Sequence, residues 1–362
     1  MHSKEEVLQA KEALSERLLT IGANSRVLAR AFSNNMREVV PELGANVHAV
    51  GIGKKIVENQ VTDELAIRIY VVQKLAESAI PPRDLLPAQI DGITCDVIES
   101  PPAFIQSLNP GVTEPQPAPV VNVLAANCSE DRRRRQRAFG AGISVAHHDV
   151  TAGTIGYFCR STRPGDNPND IFILSNNHVL ANVNQGAAGD AVLQPGPADG
   201  GVNTDLIARL HRFVRIRLGG DVSNRVDAAI ARVVPDVDHN SSICGIGSIS
   251  GTEQGVEEMR VLKHGRTTGL TEGVITDESV DQLVGMSHTD PSIVGRFERQ
   301  LRIERAGTSN VIGLGGDSGS LVVSRDNHAA VGLYFAGPDS GIYGLANPIG
   351  TVLDELEIEL IV

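Results

Sequence analysis

The chain has 362 residues, enough for two domains or for one large domain with an extension. Its hydrophobic fraction of 41% suits a globular core, but aromatics make up only 3% and Trp is absent, so that core must rest on Val, Ile, Leu and Ala. The formal net charge of −12 argues against general nucleic-acid affinity and favours solubility.

The first 16 residues are rich in Lys and Glu and contain no apolar leader of the secretory type. Val7, Ala10, Leu14 and Leu18 recur at helical spacing, which predicts an amphipathic helix over residues 4–20. Strand-like runs follow at residues 47–57, 65–72 and 93–98, the last after the Asp91-Gly92 turn signal. These predict a small N-terminal α+β module over residues 1–100. Prolines 101, 102, 110, 115, 117 and 119 then mark a stiff stretch, and Arg132 to Arg135 with Arg137 read as a solvated basic run. Residues 101–138 are therefore expected to be a linker.

From residue 139 the pattern changes to short Val/Ile-rich segments separated by Gly, Asn and Asp, with helical periodicity returning only at residues 348–360. Many short strands at such spacing predict a mainly β domain, a sandwich or a barrel. Cys95, Cys128, Cys159 and Cys244 show no CxxC spacing, so neither a zinc site nor a disulfide framework is expected. No apolar run approaches the roughly 18 residues a membrane span needs. The expectation is a cytoplasmic protein with no membrane or nucleic-acid partner and no cofactor.

Three segments carry chemistry. Gly315-Gly316-Asp317-Ser318-Gly319-Ser320 places a serine among glycines that let the backbone turn sharply and present N–H groups. The N–H groups of Gly316 and Ser318 are the expected oxyanion donors. His178 follows the apolar run of residues 171–174 through Ser175-Asn176-Asn177, a strand end where a general base could sit. Asp227 precedes the apolar run of residues 228–231 and could fix the tautomer of a histidine. Each alone has an ordinary structural explanation. In the order His178, Asp227, Ser318, on a strand-rich background, they predict a nucleophilic triad of the β-barrel protease type. His147, His148 and Asp149 suggest a metal site less well, because adjacent strand residues point to opposite faces. His211, His239, His264, His288 and His328 read as surface residues, and Gly51-Ile52-Gly53 precedes no helix pattern, so it is a weak nucleotide signal.

Residues 140–355 resemble trypsin-like serine peptidases of the bacterial type. The likeness is carried by Gly265-Arg266-Thr267-Thr268-Gly269, by residues 152–158 and 174–180, and by Ala346-Asn347-Pro348-Ile349. The last three segments, with Val50 to Gly53 and residues 64–72, resemble the intracellular group that includes the plant NARROW LEAF type. This resemblance implies a chymotrypsin-type double six-stranded β-barrel, with barrels at about residues 139–235 and 240–352 of a protease domain spanning residues 139–362. It implies a serine endopeptidase acting on protein or peptide substrates, and mildly favours a homo-oligomer. It also implies that Asp317 pairs with Lys263 or Arg266, so that no activating cut is needed. A substrate pocket would involve Ile312, Phe335, Ala336 and Gly337, and would take an uncharged, apolar or small residue. The competing expectation is a silent or partner-activated scaffold that keeps the protease fold for binding.

Overall fold

The computed structural model describes residues 2–19, 46–57, 60–106, 132–290 and 292–362, without the side chains of residues 220 and 221. The prolines at positions 110 to 119 and Cys128 lie outside them. Among the described residues the chain is mainly β, with curled sheets and few helices. It divides into two units. The first comprises Met1–Phe104, Arg217–Arg225 and Thr276–Arg302, and the second comprises Ile105–Ile216, Val226–Ile275 and Ile303–Val362. The first unit thus draws on more of the chain than the first hundred residues. The physical reason is one long strand, Gly269–Gly285. It alternates in burial through Ser279 and is then buried continuously. Such a change marks the passage from a sheet with one covered face to one covered on both.

In the first unit the helix Lys4–Leu18 starts at Ser3, whose hydroxyl accepts from the Glu6 N–H while the Glu6 carboxylate accepts from the Ser3 N–H. The stripe Val7, Ala10, Leu14 and Leu18 is buried, as its spacing predicts. It packs with Val50, Ile52, Ile67, Ile69 and Leu283 in one apolar cluster. Strands Val47–Val57 and Gln60–Val71 pair antiparallel, and Gln60–Val71 pairs parallel with Ile93–Glu99. Ala49 sits opposite Gln282, so residues 276–285 join the same sheet.

The second unit holds two sheets. In one, strands Arg260–Gly265, Leu321–Ser324, Ala330–Gly337 and Tyr343–Pro348 pair in succession, and the first also pairs with residues 269–274. The other sheet orders eight strands as Ile358–Leu360, Tyr157–Ser161, Phe172–Ser175, Ala229–Val233, Leu206–Phe213, Ala191–Leu193, Ser144–His147 and Gly153–Thr154. Phe158, Phe172, Leu174, Ile230, Leu321 and Leu333 share the apolar cluster between them. Each such side chain contributes about 1.5–3 kcal/mol by leaving water.

Three local expectations change. The helical pattern over residues 348–360 forms a helix only at Ile349–Leu356. Glu357 stops it in the left-handed region (φ +50°), and residues 358–360 become a strand. The arginine run is not simply solvated: the Arg132 Nε donates to the Arg266 carbonyl (2.8 Å), and Arg137 donates to the Gln194 side chain (2.7 Å). Backbone and side-chain oxygens there offer acceptors that the guanidinium donors satisfy. Finally, Cys244 is disulfide-bonded. Cys95 and Cys159 are free. That single bond is the departure from a spacing that signalled no disulfide framework. No described helix is long and apolar enough to cross a membrane.

Candidate active site

Strand register brings the first two residues of the site together. Ser175 lies opposite Ala229 where Phe172–Ser175 pairs with Ala229–Val233. His178 is three residues beyond Ser175 and Asp227 two residues before Ala229, so both leave the ladder at the same end. The short helix Asn177–Leu180 turns the imidazole back toward the carboxylate. The Asp227 Oδ2 meets the His178 Nδ1 at 2.5 Å, and its Oδ1 accepts the His178 backbone N–H at 3.2 Å. Both side chains are buried. Asp227 is itself held on two sides. Its N–H donates to the Asn347 Oδ1 (3.0 Å), and its carbonyl accepts from the Asn176 Nδ2 (2.7 Å). The His178 Nε2 is buried with no hydrogen-bond partner. That atom is the one a general base must keep available.

Ser318 sits in the turn before strand Leu321–Ser324. Gly316 and Gly319 adopt φ +95° and +94°, a region open to glycine and costly for other residues. A side chain on Gly319 would also strike the Ser175 hydroxyl and the Thr154 carbonyl. Thr154 ties the turn to the sheet that carries His178: its N–H donates to the Ser318 carbonyl (2.8 Å) and its hydroxyl to the Gly316 carbonyl (2.9 Å). The Ser175 hydroxyl then donates to the Thr154 carbonyl at 2.7 Å. The Ser318 hydroxyl donates to the Phe335 carbonyl at 2.9 Å.

The two expected partners of Asp317 part company. The Lys263 Nζ lies 3.1 Å from the Asp317 Oδ2, whereas Arg266 turns to Asp199 (2.8 Å). Asp317 also accepts from the Thr268 hydroxyl (2.7 Å) and from the N–H groups of Thr267, Thr268 and Leu314. Burial works against its charge, but Lys263 and these donors outweigh it and hold the carboxyl below its ordinary range. Burial pulls the Lys263 ammonium toward losing its proton. The number of donors on Asp317 decides for the ion pair.

The expected pocket residues are all buried, Gly337 at the end of its strand included. Ile312 points toward Gly273, with its carbonyl accepting from the Thr271 hydroxyl at 2.9 Å. A residue the sequence did not single out stands beside Phe335 and Gly337. Gln106 donates its N–H to the Phe335 carbonyl (3.2 Å) and accepts from the Gly316 N–H (2.5 Å). Its side-chain amide donates to the Gly337 carbonyl at 2.8 Å. Asn347, Asn176 and Thr268 were also missed as supporting groups. Their only sequence signal was membership of the short motifs around His178, Arg266 and Pro348.

Other histidines are arranged differently. His264, expected at the surface, is buried, and desolvation lowers it to about 4. The rings of His147 and His148 lie 4.2 Å apart because the strand ends at His147 and alternation stops. With Asp149 their ligand atoms gather within 4.8 Å. Both His147 nitrogens are already engaged, however, by Asp190 (3.0 Å) and the Asp149 N–H (3.1 Å). A metal would have to displace them.

No protein-family model matches the chain. It is 23% identical over 356 residues to Protein NARROW LEAF 1 of Oryza sativa subsp. japonica, covering 86% of this chain and 56% of that protein. The chain thus spans about half the length of the curated relative it matches. Among solved structures it is similar to Protease A of Thermobifida fusca (17% identity, 61% of this chain and 97% of that one, TM-score 0.42). It is likewise similar to Nocardiopsis protease (16%, 61% and 98%, TM-score 0.43). A glutamic-acid-specific serine protease matches at 14%, 61% and 100%, with TM-score 0.42.

Proposed function

We propose that the chain is a serine endopeptidase that cleaves protein or peptide substrates through an acyl-enzyme. The observation that carries this reading is the buried His178–Asp227 pair, whose unused Nε2 shares a unit with a serine held in a glycine turn. Asp227 fixes the tautomer by accepting a hydrogen bond from the Nδ1–H, which leaves Nε2 as the base. On substrate binding the Ser318 hydroxyl leaves the Phe335 carbonyl, passes its proton to the His178 Nε2 and attacks the peptide carbonyl carbon. The N–H groups of Gly316 and Ser318 receive the charge that develops on oxygen. The imidazolium then protonates the leaving amine as the C–N bond breaks. Water repeats the sequence on the ester and restores the Ser318 hydroxyl. The Lys263–Asp317 pair and the Thr267 and Thr268 N–H groups keep the turn in position without any processed terminus.

Hydrolysis of a peptide library by the purified chain, compared with Ser318→Ala, tests the reading. We expect cleavage by the wild type and none by the variant. Equal cleavage by both would remove Ser318 from the mechanism.

A further inference from the structure

Gln106 meets the second unit's site at four atoms, and these contacts have the pattern of a substrate rather than of a linker. Its N–H donates to the carbonyl of Phe335, the same oxygen on which the Ser318 hydroxyl rests. Its carbonyl accepts from the Gly316 N–H at 2.5 Å, the group assigned above to the oxyanion. Its side-chain Nε2 donates to the Gly337 carbonyl at 2.8 Å and approaches the Pro338 carbonyl at 3.4 Å. The residue is 1% exposed. A peptide residue whose carbonyl lies on an oxyanion donor, and whose N–H lies on the carbonyl beside the nucleophile, occupies the acyl side of a scissile bond.

We propose that the specificity pocket of this site takes a glutamine side chain, and that the chain's own Gln106 fills it in the resting protein. The inference rests on the serine peptidase reading. The chemistry of the pocket favours this residue over the apolar or small one implied by the family resemblance. Two carbonyl oxygens, of Gly337 and Pro338, face the side-chain amide. A leucine would leave both without a donor, and a glutamate would meet them with like charge. The Gln106 Oε1 and the Tyr334 hydroxyl are both buried without a partner. A side chain placed on Gly337 would lie 3.1 Å from that hydroxyl, so it borders the same pocket. A hydroxyl donor suits an amide oxygen, an acceptor that a glutamine side chain brings and a lysine ammonium lacks.

Two variants empty the pocket by different means: Gln106→Ala removes the amide, and Gln106→Glu keeps its size but reverses its polarity. The probes are the tetrapeptide Ala-Phe-Ile-Gln coupled to aminomethylcoumarin and its counterparts ending in Leu, Glu or Lys. Fluorophosphonate labelling of Ser318 is measured in parallel on each full-length protein. We expect both variants to hydrolyse the Gln peptide at least tenfold faster in kcat/KM than the wild type, and at least tenfold faster than the other three peptides. Labelling that depends on Ser318 together with preference for another residue, or with no gain in either variant, would overturn the inference and leave the peptidase reading intact. Absence of Ser318-dependent labelling in all three proteins would overturn both.

Discussion

Each unit buries an aspartate, and the two are stabilised in opposite ways. Asp317 in the second unit has a lysine, a threonine hydroxyl and three backbone N–H groups around it, and stays below its ordinary carboxyl range. Asp277 in the first unit accepts from the Ser279 N–H (3.0 Å) and from the Tyr70 hydroxyl (3.3 Å), and burial raises it to about 6. The histidines divide along the same line. His48 in the first unit engages both nitrogens, with the Ser100 carbonyl (2.8 Å) and Gln282 (2.9 Å), and desolvation lowers it to about 3. His178 engages only Nδ1. A buried polar group with every valence met is structure. One left with a single unmet valence, beside a constrained nucleophile, is the arrangement that chemistry needs.

The largest expected effects lie at that unmet valence. Ser318→Ala and His178→Ala should each lower kcat on a cleaved peptide by about 10⁴–10⁶-fold, and Asp227→Asn by about 10⁴-fold through the wrong tautomer. His48→Gln should leave kcat within twofold of wild type. A large loss there would erase the distinction between the two histidines.

Gly316→Ala should cost about 10²–10³-fold in kcat. A methyl group at φ +95° would meet the Thr267 hydroxyl at 2.6 Å and turn the N–H away. Unchanged kcat in a folded variant would remove that donor from the mechanism.

Lys263→Met leaves Asp317 buried without its cation and should cost about 3–5 kcal/mol in denaturant unfolding. Because the folded Asp317 sits below its ordinary value of 3.8, its contribution is whole above that pH and is lost as pH falls through the folded value. The deficit of the variant should therefore shrink only in strong acid.

Asp277 carries the opposite sign. Between 3.8 and about 6 the folded state binds more protons than the unfolded one, so stability falls as pH rises across that window. Against wild type, Asp277→Asn should gain stability from pH 4 to pH 6 and hold that gain above pH 7. A difference independent of pH would show that Asp277 is not desolvated.

Much of this was legible in the sequence. The stripe of Val7, Ala10, Leu14 and Leu18 and the apolar runs at residues 47–57 and 93–98 fix their elements locally, because periodicity follows from one-sided burial. Order and spacing made His178, Asp227 and Ser318 candidates. Their geometry depends on the pairing of Ser175 with Ala229, a long-range register that no local pattern encodes. The split of Gly269–Gly285 between two units is equally non-local. Gln106 was hidden by its surroundings: prolines on either side of Ala103-Phe104-Ile105 read as a linker, and a glutamine has no chemistry of its own to attract notice.

The central claim is that His178 and Asp227 arm Ser318. Labelling with a fluorophosphonate, followed by peptide mapping of the full chain, tests it most directly. We predict one adduct on Ser318, lost in Ser318→Ala and slowed at least a hundredfold in His178→Ala. Labelling of Ser318 at equal rates with and without the histidine, or an adduct only on other serines, would contradict it.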